Sequence, residues 1–266
     1  VRAKRSLGQN FLVDPNIRRR IVGSLDAGPA DTIVEIGPGR GALTEGLAAL
    51  AGRLVAVELD DELARALQDR FSGDPHVSIV HEDFLEWAPP TWPDAATVKV
   101  VGNIPYNITS PILFRLLEWR PTPERIVLMV QREVADRILA VPGQKAYGAL
   151  TVGVRAHAQV ERLFTVGRQA FRPVPGVDST VIRIRSRPAT GPGTGSSLRS
   201  LTRAAFGMRR KQLQKILRTA PGYELESGPA EQVLADVGVQ PEDRPETLDP
   251  DTFVRLAAAL ERLGYP

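Results

Sequence analysis

Cysteine is absent from the 266 residues of this chain, and the absence removes whole classes of chemistry. There can be no disulfide framework, no thiolate metal site and no covalent cysteine mechanism, including the one that methylates carbon 5 of pyrimidines. Histidine is nearly as scarce. The three present, His76, His81 and His157, are scattered without ligand spacing, so no metal site is expected. Long apolar runs are missing too: none approaches the roughly 18 residues that cross a bilayer, and no n-region, h-region and cleavage pattern opens the chain. A basic first segment would also suit a mitochondrial presequence. However, Ile17, Ile21, Val22 and Leu25 already mark an amphipathic helix, capped by Asp14 with Pro15 at its first position. The expectation is a soluble, cytoplasmic protein without membrane association.

What is present fits one full α/β domain with a smaller appendage: 42% hydrophobic and 24% charged residues, enough to bury a sizeable core. Net charge is only +3, so the distribution of the arginines matters more than their sum. Strand-like runs alternate with helical ones: Asp31 to Ile36, Leu54 to Val57, Val77 to Val80, a run ending at Asn103, and Arg125 to Val130. That alternation predicts a mostly parallel sheet covered on both faces. Two later β segments, Val160 to Val166 and Ser179 to Ile184, leave no room for a crossover helix and predict an antiparallel hairpin at the sheet edge.

The most informative stretch is Val100 to Ile108, where an apolar run passes straight into Asn103-Ile104-Pro105-Tyr106. A turn at the carboxyl end of a strand is where open α/β sheets keep their chemistry. The residue types suit an exocyclic purine amine, a poor nucleophile because its lone pair is delocalised into the ring. The Asn103 side-chain oxygen and the carbonyls around Pro105 can accept its N–H groups, and Tyr106 can stack on the base. Equally, Asn and Pro can serve a β-turn for backbone reasons alone.

Gly37-Pro38-Gly39-Arg40-Gly41 turns the first strand into a helix, with glycines that let a ligand approach the backbone closely. A dinucleotide-binding turn needs its third glycine one residue later. Glu35, just before the turn, would repel a pyrophosphate but favour the sulfonium and amino group of S-adenosylmethionine. Glu58, ending the next strand, is placed to accept from two ribose hydroxyls, and Asp83 with Phe84 to hold an adenine edge and face. Asp60, Asp61 and Glu62 are read as favourable charge in the first turn of a helix. In the loop Phe171 to Ser179, Phe171 either closes on a base opposite Tyr106 or plugs the core beneath a rigid loop.

Residues 188–197 are poor in apolar side chains and read as a linker between a catalytic domain, 1–187, and a helical domain, 198–266. Beyond the linker, Arg199, Arg203, Arg209, Arg210, Lys211, Lys215 and Arg218 fall in a helical segment without one acidic residue. A charge run is usually a solvated face, but one unmixed with acids is a candidate for contact with a phosphate backbone.

Taken in order, Gly8-Gln9-Asn10-Phe11-Leu12, Glu35 to Thr44, Asn103 to Ile108 and Phe171-Arg172-Pro173-Val174-Pro175 make the chain resemble the ribosomal-RNA adenine dimethyltransferases. That family contains small-subunit enzymes and the macrolide-resistance Erm enzymes, and the match covers nearly the whole chain. The resemblance implies a Rossmann-like class I methyltransferase sheet with a small all-helical C-terminal domain. It implies S-adenosylmethionine as cofactor, touched by Asn10, Leu12, Gly37, Glu58, Asp83 and Asn103, with Gln9, Glu35, Gly39, Leu59 and Phe84 beside them. Asn103, Pro105, Tyr106 and Phe171 would hold the target adenine, and Arg199, Arg203, Arg209, Arg210, Lys211 and Lys215 the RNA. Val130 to Ala135, Tyr147 to Leu150 and Phe206 to Lys211 look like the small-subunit branch. Gln214-Lys215, where that branch often has an Arg-Asn pair, and Gly176, where a basic residue is common, depart from it. The expectation is a monomer that dimethylates adenine N6 in small-subunit rRNA, within a small-subunit particle. Alternatives are an Erm-like enzyme of large-subunit RNA, or a non-catalytic RNA-binding factor on the same fold.

Overall fold

The structure is a computed structural model that describes residues 4, 8–92, 97–105, 108–187 and 195–266. In chain order the elements are β1 (Phe11–Leu12), α1 (Pro15–Ser24), β2 (Asp31–Ile36), α2 (Thr44–Ala48), β3 (Arg53–Glu58), α3 (Asp61–Arg70), β4 (Val77–His81), β5 (Thr97–Asn103), α4 (Thr109–Glu118), β6 (Arg125–Gln131), α5 (Arg132–Leu139), α6 (Ala149–Arg155), β7 (Ala158–Val166), β8 (Phe171–Arg172), β9 (Ser179–Ser186), α7 (Ser196–Gly207), α8 (Leu213–Thr219), α9 (Ser227–Asp236) and α10 (Pro250–Arg262). Among the described residues no helix is long and apolar enough to cross a membrane.

Two compact units divide these elements, Val1–Ala135 with Gln159–Ser186, and Asp136–Ala158 with Arg187–Pro266. The first holds a sheet in the order β4-β3-β2-β5-β6-β9-β7. Strands β4, β3, β2, β5 and β6 run parallel to one another and β9 runs antiparallel to β6, while β7 lies beside β9 at the sheet edge, the two segments expected to form the edge hairpin. All six residues of β2 are buried, as are the middles of β5 and β6, which is why these strands read as unbroken apolar runs. The chain starts its sheet at β2 and reverses direction between β2 and β5. Their carboxyl ends therefore splay around a crevice, the topological switch point.

Local chemistry fixes the helix starts. Asp14 accepts from the N–H groups of Asn16 and Ile17 with Pro15 first in α1, and Asp60 accepts from Glu62 and Leu63 at α3. Helices α1 and α2 cover one sheet face through Ile21, Leu25, Leu43 and Leu47, which pack with Ile33 and Leu54.

The second unit is helical and has its own core of Leu198, Leu201, Ile216, Leu217, Val233, Leu234, Phe253 and Leu256. Tyr147 and Val152 belong to this core, and the Tyr147 hydroxyl donates to the Leu248 carbonyl at 2.6 Å. Residues 136–158 precede β7 and β9 in the chain, so a division at 187 placed them with the sheet. Their packing instead follows α6, five of whose seven residues are buried, too apolar all round for a helix with one solvated face. Of the expected linker, 188–194 lies outside the described residues, and Ser196 and Ser197 are already the first turn of α7. The basic segment after it is two helices, not one. Residues 208–212 turn between α7 and α8 and carry Arg209, Arg210 and Lys211.

Candidate active site

A cleft opens at the switch point, lined from β2 and its turn by Ile36, Gly37 and Gly39, from β3 by Val57, Glu58 and Leu59, and from β5 by Asn103, Ile104 and Pro105. Gly8, Gln9, Asn10 and Phe11 form another wall, while Asp83, Phe84 and Leu85 close the far end. The glycines are required by geometry. Gly37 and Gly39 sit at φ +61° and +60°, and a Cβ on Gly39 would lie 3.2 Å from the Phe11 ring. At Gly102 an added Cβ would approach the Ile36 carbonyl oxygen at 2.9 Å, so only glycine lets β5 lie this close to β2 where Asn103 begins its turn.

Glu58 is almost fully buried at the end of β3. Its Oε2 accepts from the Gly39 N–H at 2.8 Å and its Oε1 from the Asp60 N–H at 2.9 Å. Burial raises its pKa above the usual carboxylate range, opposed by these main-chain bonds. The carboxylate keeps acceptor capacity for a ligand hydroxyl. Asp83 accepts from the Leu85 N–H through Oδ1 at 2.8 Å, which fixes the carboxylate at the cleft. Phe84 is held from behind by Trp87 and Trp119, with ring centroids 6.0 and 5.6 Å away.

Asn103 is fixed by its partner. Its Nδ2 donates to the main-chain carbonyl of Asn10 at 3.0 Å. A carbonyl oxygen can only accept, so the amide nitrogen must face Asn10, and Oδ1 is the acceptor that Asn103 offers to the cleft. The Pro105 carbonyl, by contrast, already accepts from the Ile108 N–H at 3.2 Å and the Thr109 hydroxyl at 3.3 Å. Both of its lone pairs are engaged. Tyr106 lies outside the described residues.

Three sequence-derived residues stand apart from the cleft. Glu35 alternates with Ile36 along β2, so while Ile36 reaches the cleft Glu35 points into the core, where the Thr44 hydroxyl donates to its Oε2 at 2.7 Å. Burial pushes its pKa up to about 8. A largely protonated acid facing away from the cleft is no partner for a sulfonium, which corrects that expectation. Leu12 packs in the core and its carbonyl accepts from Arg18. Phe171, 1% exposed, pairs with Leu12 across β1 and β8 and packs with Val181. Turning it out to stack would forfeit about 1.5–3 kcal/mol of burial against about 1–3 kcal/mol from stacking, before the cost of the lost pairing. In this structure Phe171 packs as the core plug beneath the loop, the second of the two placements the sequence offers.

Sequence reasoning missed residues that the fold brings in. Phe11 lines the cleft, and the Arg40 guanidinium lies over its ring at 4.4 Å. Asp60, read only as helix-start charge, also receives Lys4 and Gln9 at 3.0 Å each. Burial acts to raise the Asp60 pKa, but the hydrogen bonds from Lys4 and Gln9 outweigh it and hold the carboxyl below its usual range. Residues 56 apart carry no local signal of such a contact.

In the helical unit Arg203, Arg210, Lys211 and Lys215 are exposed, as is Arg199. Arg209 is not available in the same way. It forms an ion pair with Glu246 at 2.5 Å and donates to the Lys145 and Gln144 carbonyls at 2.7 and 3.0 Å, tying the α7–α8 turn to two other loops. In this structure the Arg209 side chain serves a structural tie.

The family model for ribosomal RNA adenine dimethylases matches residues 1–258. The chain belongs to this family. It is accordingly an rRNA adenine dimethyltransferase, of a family that takes its methyl groups from S-adenosylmethionine. A Geobacter metallireducens protein named ribosomal RNA small subunit methyltransferase A is 43% identical, covering 99% of this chain and 98% of the relative. The Enterococcus faecalis protein of the same name is 40% identical over 97% of this chain and 90% of its own. Among solved structures, a dimethyladenosine transferase from Plasmodium falciparum superposes with TM-score 0.84 at 26% identity, covering 96% of this chain and 98% of the other. The 23S rRNA methyltransferase ErmE gives TM-score 0.69 at 32% identity, covering 95% and 100%.

Proposed function

We propose that this chain dimethylates adenine N6 in small-subunit rRNA, acting as a monomer on a small-subunit particle in the cytoplasm. The orientation of the Asn103 amide carries this reading, because it presents an acceptor, and not a donor, where a target amine must bind. The residues fit S-adenosylmethionine. A Cβ on Gly37 would meet nothing within 4 Å, so its glycine leaves an open cradle beside the acceptor carboxylates of Glu58 and Asp83 and the apolar faces of Phe84 and Leu59. When bound, the cofactor supplies an electrophilic methyl group on a cationic sulfur.

Glu58 accepts from the ribose hydroxyls, Asp83 from the adenine amino group, and Phe84 and Leu59 pack against the ring. Gln9 and Asn10 close the near wall. Asn103 Oδ1 accepts one N–H of the target amine, which draws its lone pair out of the ring and aims it. With the Pro105 carbonyl committed, the second main-chain acceptor on the turn is the carbonyl of Ile104. The target base leaves its stack to reach the cleft, with Tyr106 as its stacking partner, and the proton released after transfer passes to water. Arg199, Arg203, Arg210, Lys211 and Lys215 bind the phosphate backbone. The small-subunit assignment draws on whole-length relatives at 40–43% identity, against 32% for ErmE.

Replacing Asn103 by Ala should lower turnover about 10²- to 10³-fold while calorimetry still registers S-adenosylmethionine; unchanged turnover removes the reading. Mapping methylated adenines on both naked rRNAs and on unmodified small-subunit particles separates the small-subunit from the large-subunit assignment.

A further inference from the structure

We propose that Lys4, Gln9 and Asp60 form a latch that holds the main chain at Asn10 against Asn103, and thereby sets which end of the Asn103 amide faces the cleft. This makes them positioning residues for methyl transfer, and it rests on the reading of Asn103 as the acceptor for the target amine. The Asp60 side chain is wholly buried and that of Lys4 is 41% exposed. Asp60 Oδ1 accepts from Lys4 Nζ and Oδ2 from Gln9 Nε2, both at 3.0 Å, while Gln9 Oε1 accepts from the Lys4 N–H at 2.8 Å. The three groups close a ring of hydrogen bonds in which Lys4 supplies the positive charge.

The ring connects to both halves of the site. On one side the Asp60 N–H donates to Glu58 Oε1 at 2.9 Å. On the other, Gly8 turns the chain at φ +62°, Asn10 Nδ2 donates to the Gly8 carbonyl at 3.1 Å, and the Asn10 carbonyl accepts from Asn103 Nδ2 at 3.0 Å. Removing the Lys4 charge leaves a buried carboxylate without its counter-ion, a state that is relieved when the segment lifts and water enters. Once the Asn10 carbonyl is displaced, nothing distinguishes the two ends of the Asn103 amide. Its NH₂ can then turn to the cleft and oppose the N–H of the incoming amine.

The experiment measures tritiated methyl transfer to unmodified small-subunit particles at saturating S-adenosylmethionine, with calorimetry for cofactor affinity. Lys4→Met should lower kcat about tenfold at saturating cofactor, a modest misplacement effect, over and above any weakening of the cofactor Kd from the displaced Gln9 and Asn10 wall. Lys4→Arg should recover most of the rate. In an Asn103→Ala background Lys4→Met should add no further loss, because both changes act through one amide. Wild-type kcat in Lys4→Met, a loss confined to the cofactor Kd, or an equal further loss in the Asn103→Ala background each overturns the latch. If Lys4→Met fails to fold by circular dichroism, Asp60→Asn decides by the same criteria, since Asn preserves the cap of α3. Full turnover in Asn103→Ala alone would overturn the acceptor reading itself, whereas loss there with wild-type rates in Lys4→Met would overturn only the latch.

Discussion

The two ends of the central sheet hold charge in different ways. At the amino end, Lys99 of β5 pairs with Asp31 of β2 at 2.8 Å and also donates to the Asp26 carbonyl, while Arg125 of β6 meets the Asp26 carboxylate at 2.9 Å. The Arg125 guanidinium holds the Asp26 carboxyl below its usual range. Positive and negative groups there satisfy one another, and the Asp31 carboxylate is further tied to the Gly28 N–H at 2.7 Å. At the carboxyl end stand Glu35, Glu58 and Asp60, of which Asp60 alone has an ion pair among the described residues, with Lys4. The others rely on N–H and hydroxyl donors. Paired charges close a structure, whereas Glu58, held at the cleft by neutral donors, keeps acceptor capacity for a ligand and stores a cost that ligand binding can relieve.

The comparison can be broken most severely at its closed end. Lys99→Met should destabilise the protein by about 3–5 kcal/mol by stranding the Asp31 carboxylate, read by urea denaturation, and the double variant with Asp31→Leu should recover most of that. Turnover per folded molecule should stay at the wild-type value in both; a loss of turnover in the folded fraction would mean that the two ends are not independent. At the open end, Glu58→Gln should weaken S-adenosylmethionine binding about 10- to 100-fold, the scale of one or two hydrogen bonds to a charged group. Calorimetry showing unchanged affinity would contradict the ribose assignment.

Acidity sharpens the contrast further. Glu35 has a folded pKa of about 8 against an ordinary value of 4.5, so between those values the folded protein holds a proton that the unfolded chain releases. Its contribution to stability is therefore complete below about pH 4.5 and is lost as pH rises to about 8. The slope is at most about 1.4 kcal/mol per pH unit. Glu35→Gln should flatten the fall in melting temperature over that window, with Glu58 contributing in the same direction. A wild-type protein whose stability does not fall over this range would refute the burial argument. The smallest effect belongs to the exposed helical unit, where Lys215→Ala should reduce the salt slope of RNA binding by about one with little change in stability. Arg209→Ala should do the reverse, lowering stability through the lost Glu246 pair while the salt slope holds.

Much of the first unit was legible in the chain. The extents of β2 and β6 and the carboxyl end of β5 follow from apolar runs bounded by Gly and Pro, because a strand buried on both faces needs no alternation. The adjacency of β7 and β9 at the sheet edge follows from the short connection between them. The site was legible where a residue stands at a strand end, as Glu58 and Asn103 do, since the end of a parallel strand is at the cleft whichever face the side chain takes. Legibility failed where the face mattered. Glu35 stands one residue from Ile36 and points the other way, and Phe171 was undecided between base and core until its pairing with Leu12 turned it inward. Residues 136–158 group with the helical unit for a related reason: order along the chain does not say which core a helix joins.

The sequence by itself determined which residue types stand at the ends of which strands, and hence the family and the kind of ligand the sheet edge can hold. Only the tertiary structure decided which of those groups face the cleft, which are paired, and which amide end Asn103 presents. Those choices depend on contacts such as Lys4 with Asp60 and Asn10 with Asn103, 56 and 93 residues apart. No local propensity encodes the meeting of such distant groups; the packing of the sheet brings them together.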